Sequence, residues 1–162
     1  MNCAQILRAI GQDLERLEID TFRLVCGDYS FIIQELAKGA EKQPGEGHEH
    51  RGVRSSLREF HYTFEDIKRL DERGRGNRRD AEGLPEPDSL TNMLRAAATY
   101  VDLKDGRLLE ITKSDDKGLT VRYEKVGGKI HTELLEASEL YALFVRVYLQ
   151  RADRSRRSES QP

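Results

Sequence analysis

A chain of 162 residues, 35% of them charged, 37% apolar and none Trp, has the length of one domain or of two small repeats packed as one. Its longest apolar run, Tyr141 to Val145, is far too short to span a bilayer, and Gln5, Arg8, Gln12 and Asp13 break up the start where a secretory signal needs continuous apolar sequence. With 27 basic and 29 acidic residues the net charge is −2, which argues against a dedicated nucleic-acid binder and leaves room for a local basic patch.

The first predicted element is a helix, because Ile6, Leu7, Ile10, Leu14 and Leu17 recur at steps of three and four. The period then drops to two. Phe22, Leu24 and Cys26 alternate up to a Gly27-Asp28 turn, and Tyr29, Phe31 and Ile33 alternate after it, which predicts a β-hairpin. A third strand is expected within Val53 to Tyr62, through Leu57, Phe60 and Tyr62. Thr63 with Asp66 three residues on resembles a capping box, opening a short helix through Phe64, Ile67 and Leu70 that Gly74 would end.

In the second half, Asp88 is placed to cap a helix with the stripe Leu90, Leu94, Ala97 and Val101, stopped at Asp105-Gly106. Arg107 to Lys113 reads as a strand with Leu109 and Ile111 on one face. Leu119, Val121 and Tyr123 form the next, Gly127-Gly128 a two-residue hairpin loop, and Ile130 to Leu135 the returning strand. A final helix is expected from Ser138 to about Arg151, apolar on more than one face. Three segments are polar and rich in turn formers, 38–52, 71–88 and 150–162, and hold too little apolar surface to offset the entropy of ordering. The remainder, over two-thirds of the chain, is enough to bury a core without disulfides. Cys3 and Cys26 form no disulfide framework and read as reduced thiols of a cytoplasmic protein, Cys26 as a small buried hydrophobe.

The expected fold class is α+β, with antiparallel strands and helices packed on one face. The two halves share the order helix, strand, strand, strand, helix, and they align in places. Leu7-Arg8-Ala9 matches Leu94-Arg95-Ala96, Phe22 matches Leu109, Leu24 matches Ile111, and Asp66-Ile67 matches Glu139-Leu140. Duplication and chance likeness both account for this. Under duplication, residues 1–76 form one αβββα repeat with an insertion at 38–52. Residues 77–88 then link it to a second repeat at 89–150, and 151–162 is a disordered basic tail. The six strands would make one sheet, or two sheets of three. The strand face opposite the helices is expected to carry Arg23, Val25, Ile32, Gln34, Glu110, Thr112, Thr120, Arg122 and Glu124. That face has no aromatic to stack a base and carries mixed charge, which suits solvent or a protein partner better than single-stranded nucleic acid.

Three groups of residues carry functional expectations. His48 and His50, around Glu49, are donor types for a divalent metal, but glycines flank them and the spacing is also that of a polar linker with incidental histidines. Arg73, Arg75, Arg78 and Arg79, and in the tail Arg151, Arg154, Arg156 and Arg157, are candidate phosphate contacts, each cluster partly offset by nearby carboxylates. Tyr141, Phe144, Val145 and Tyr148 on the last helix are candidate interface residues, being more apolar surface than one sheet contact requires. There is no P-loop, no GxGxxG opening a helix and no GxSxG, so no residue is a catalytic candidate and no cofactor is called for. The function expected is that of a non-enzymatic binding or adaptor protein that engages another protein or a second copy of itself, with no membrane partner. The alternative is a nucleic-acid accessory protein using its arginine-rich linker and tail.

Overall fold

The computed structural model describes residues 1–37, 57–76 and 89–147. Helix α1 (Cys3–Arg16) opens on a reciprocal cap in which the Asn2 carboxamide accepts from the Gln5 N–H and the Gln5 side chain accepts from the Asn2 N–H. Strands β1 (Phe22–Cys26), β2 (Ser30–Glu35) and β3 (Glu59–Thr63) lead into helix α2 (Phe64–Gly76). Helix α3 (Leu90–Leu103), strands β4 (Gly106–Lys113), β5 (Gly118–Lys125) and β6 (Ile130–Glu136), and helix α4 over residues 137–147 complete the chain. All six strands form one antiparallel sheet in the order β3-β2-β1-β4-β5-β6, and the helices pack on one of its faces. The class is α+β.

The order is a mirror about the seam where β1 meets β4. At that seam Leu24 lies opposite Ile111, while Arg23 pairs with Thr112 and Val25 with Glu110. Helices α1 and α3 are each 14 residues long. Their N-caps, Asn2 and Ser89, and their bounds, Cys3–Arg16 and Leu90–Leu103, share one displacement, the 87 positions that also separate the ion-paired Arg23 and Glu110.

The core lies between sheet and helices. Phe22, Leu24, Phe31, Ile33, Ile111, Leu119, Val121 and Tyr123 point inward from the strands, against Ile6, Ile10, Leu14, Ile67, Leu94 and Val101 from the helices. Each such side chain contributes about 1.5–3 kcal/mol by leaving water. The helix pair α1–α3 approaches closely at Gly11, where a Cβ would sit 2.7 Å from the Thr91 Cα. The Glu15 carboxylate on α1 accepts from the Thr91 N–H at 3.0 Å, satisfying one of the open donors in the first turn of α3. Between α1 and α2 lies a buried polar layer. Arg8 pairs with Asp71, and Asp13 accepts from the Tyr62 hydroxyl at 2.5 Å and from Arg16 at 2.6 Å.

Several local expectations are corrected. Tyr29 is not inward: it stands in the β1–β2 turn, closed by the Gly27 N–H to Ser30 carbonyl bond, and is 81% exposed. A β-bulge between Leu108 and Glu110 puts Leu108, not Leu109, in the core beside Tyr123. The Thr63–Asp66 capping box forms, but α2 runs through Gly74 to Gly76. Ser89 caps α3, accepting from the Asn92 N–H, whereas Asp88 lies outside the described residues. The β5–β6 loop has three residues, Val126-Gly127-Gly128. It is closed by the Lys125 N–H to the Lys129 carbonyl, with both glycines at positive φ. Helix α4 is described over 137–147, and its continuation to Arg151 lies outside those residues, as does the part of the third strand expected between Val53 and Ser56.

Candidate functional site

Sequence alternation places Val25, Ile32, Glu110 and Arg122 on the open sheet face, and the register bears this out, joining them with His61, Thr132 and Leu134. Charge there is arranged as cross-strand pairs. Arg23 makes two bonds to Glu110 at 2.8 and 3.1 Å, Arg58 pairs with Glu35 at 2.9 Å, and Arg107 bridges Asp28 and Glu124. The hydrogen bonds from Arg23 and Arg58 hold the Glu110 and Glu35 carboxyls below their ordinary value. A polar hollow of about 740 Å³ lies along this face between Arg23, Glu35, Arg58 and Arg122. Its described cations already face carboxylates, so it is a solvated surface rather than a preorganised anion site.

The other end of the molecule is different. Helix α3 ends at Leu103, β6 forms the sheet margin, and α4 turns back beside it. Together they line a groove of about 820 Å³. Its walls are apolar, from Leu103, Leu134, Leu135, Leu140 and Leu143, and its rim is charged, with Lys104, Glu133, Glu139 and Arg146. Leu103 is exposed, Leu134 is 57% exposed and Tyr141 44%, with Ile130 exposed further along β6. Helix α4 starts here because the Ala137 N–H bonds the Lys117 carbonyl and the Glu139 carboxylate accepts from the Glu136 N–H.

One side of the groove is fixed by an aromatic network. The Tyr100 hydroxyl donates to Glu133 at 2.5 Å. The bond to Glu133 pushes the Tyr100 phenol up to about 12, and burial raises that of Tyr123. The Tyr100 phenol therefore keeps its proton at neutral pH and acts as the donor to Glu133. Tyr123 stacks on His131 at 5.5 Å and meets Tyr100 edge to face at 6.5 Å, while the Lys104 ammonium sits 5.4 Å from the centre of the Tyr100 ring. Among the described residues no activated nucleophile faces this carboxylate, and the groove combines apolar walls with a charged rim.

Of the residues anticipated on the last helix, Tyr141 is exposed on α4 outside the groove lining and Val145 is half-buried. Phe144 belongs to the core, with the Arg95 guanidinium 5.6 Å from its ring centre, so its surface is already covered. Tyr148 lies outside the described residues. Arg73 is exposed on α2, the backbone of Arg75 lies in the last turn of that helix, and Arg78, Arg79, Arg151, Arg154, Arg156 and Arg157 lie outside the described residues, as do His48 and His50. Among the described residues no group of three or more His, Cys, Asp or Glu could hold a metal ion, and no helix is long and apolar enough to cross a membrane. Leu103, Lys104, Glu133 and Leu134 were missed by the sequence reading. Their one signal was Leu134 next to Leu135, which puts an apolar side chain on both faces of β6. Comparison with protein-family models, with curated proteins and with solved structures finds no match.

Proposed function

We propose that this chain is a non-enzymatic protein-binding module whose contact surface is the β6 end of the sheet with the groove between α3 and α4. The observation that carries this is a groove lined by exposed Leu103 and Leu134 together with Leu135, Leu140 and Leu143, with Ile130 exposed further along β6; Tyr141 is exposed on α4 outside that lining. Elsewhere on the described surface the large exposed apolar side chains stand in turns or at the chain start, as Tyr29, Val126 and Met1 do. An apolar patch with a charged rim is the anatomy of a protein contact. Cys3 and Cys26 are unpaired, and burial pushes their thiols up to about 11 and about 12. Unpaired, unreactive thiols support a reducing compartment such as the cytoplasm. The shared element order, the mirror strand order and the equal displacement of the caps support descent of the two halves from one αβββα unit.

Position-resolved photo-crosslinking tests the surface. A crosslinking amino acid is placed at Leu103, Leu134 or Ala142, and at Glu59 or His61 on the opposite margin β3 as controls, in the full chain expressed in its native cell. Protein adducts from the first three positions and not from the controls are expected. Their absence, or equal yield from the controls, overturns the proposal.

A further inference from the structure

Among the described residues the sheet has two free margins, β3 and β6, and they differ. Strand β3 is five residues long and turns Glu59, His61 and Thr63 to the open face, with Arg58 at its start. Short, charged margins of this kind resist pairing. Strand β6 is seven residues long and turns Ile130, Thr132, Leu134 and Glu136 to the open face. The bond from the Lys125 N–H to the Lys129 carbonyl sets the phase of the ladder. By alternation His131, Glu133 and Leu135 then bond β5, and the backbone groups of Ile130, Thr132 and Leu134 point away from the sheet. Those groups form an unpaired template beside two exposed aliphatic side chains.

We infer that β6 pairs antiparallel with β6 of a second copy of this chain, centred on Thr132, to give a continuous twelve-stranded sheet. This rests on the proposed binding surface and names its occupant. The register follows from the side chains. Centred on Thr132, Ile130 lies opposite Leu134 of the second copy on the open face, twice by symmetry. On the helix face His131 lies opposite Glu133 of the second copy, also twice, in non-hydrogen-bonded pairs where side chains come closest. A centre at Glu133 would set two carboxylates against each other. A centre at His131 would set two imidazoles together and leave Leu134 opposite Gly128. Charge and apolar surface are both complementary in the Thr132 register alone of these three. Glu133 is already held in place by Tyr100, so the carboxylate needs little ordering on association. The seam inside the chain shows the same solution: β1 and β4 meet antiparallel, with an arginine and a glutamate paired across them.

Sedimentation velocity on the purified full chain, with Leu134→Arg and Thr132→Cys variants, tests this. A dimer at about 100 μM is expected, weakened about 30-fold or more by Leu134→Arg, which puts a charge against Ile130 of the second copy on an exposed position that leaves the fold intact. Mild oxidation of Thr132→Cys is expected to give a reducible dimer, because residues paired across the symmetry axis lie within disulfide reach. Lys129→Cys, whose two copies would lie about 20 Å apart in this register, gives none. A monomer at that concentration, or equal crosslinking at both positions, overturns the β6 pairing. If the photo-crosslinks from Leu134 and Ala142 still capture a different protein, the binding surface stands and its occupant is not a second copy. If they capture nothing, both fall.

Discussion

Replacing Asp71 with alanine should strike the fold where α2 is fastened to α1. The Asp71 side chain is 3% exposed and that of its partner Arg8 14%, and the Arg8 Nε is buried with no hydrogen-bond partner among the described residues. The guanidinium therefore leans on this carboxylate. An exposed pair such as Arg107 with Asp28, whose side chains are 62% and 75% exposed, is worth about 0–1 kcal/mol. Removing one member of a buried pair instead strands a charge in low dielectric, at about 3–5 kcal/mol. A domain has about 5–15 kcal/mol in all, so Asp71→Ala should lose a large share of it. The double variant Arg8→Met/Asp71→Leu removes both charges together and should recover most of that loss. Urea unfolding followed by circular dichroism gives all three values, with the m-value checking that the transition stays two-state. A loss below about 1 kcal/mol for Asp71→Ala, or a double variant as damaged as the single one, would refute the reasoning.

Gly118→Ala should cost more than about 2 kcal/mol in a thermal melt, since its Cβ would stand 2.0 Å from the Leu135 carbonyl oxygen and 2.9 Å from the Glu136 Cα, both backbone atoms of β6; an unchanged melting point would show that the β5–β6 register is misplaced. The Glu110 carboxyl is held below its ordinary value of 4.5 by the hydrogen bond from Arg23. Its contribution is complete above that pH and disappears as pH falls through the lower folded value, so stability should decline below about pH 4.5, and Glu110→Gln should flatten that decline in acid melts. An identical acid profile for the variant would assign the loss to other carboxylates.

Much of the architecture was legible because period and burial agree. The alternation of Phe22 with Leu24 and of Leu119, Val121 and Tyr123 is the inward face itself, and the correspondence of Leu24 with Ile111 is the pair at the seam. The misplacements have physical causes. Tyr29 extends the alternation one step into a turn, where an aromatic costs nothing by facing water. The extra residue of the β4 bulge leaves no local mark, so Leu109 and Leu108 exchange places. Gly74 reads as a helix stop, but a glycine inside a helix costs only about 1 kcal/mol and packing of α2 against α1 exceeds it. The candidate site was the least legible part. Tyr100 and Glu133 are 33 positions apart, and the groove exists only where three elements converge. No single stretch of sequence carries that convergence. The last helix was rightly marked as unusually apolar, but whether Phe144 or Tyr141 faces outward depends on its rotation against Arg95 and the core, which periodicity alone leaves open.

The seam between β1 and β4 also governs how the molecule assembles. Within each half the hairpins β1–β2, β4–β5 and β5–β6 join near neighbours along the chain, whereas the seam joins residues 87 positions apart. Sequence separation is therefore short in these hairpins and long where the halves meet, at the seam and between α1 and α3, where Glu15 bonds Thr91 76 positions away, which makes the joining of the halves the slow event. Its entropic cost grows only logarithmically, by about 0.6 kcal/mol for each doubling of the connecting chain. Lengthening the connection between α2 and α3 should then slow folding without undoing it, and cutting that connection converts closure into an encounter of two fragments whose rate depends on concentration.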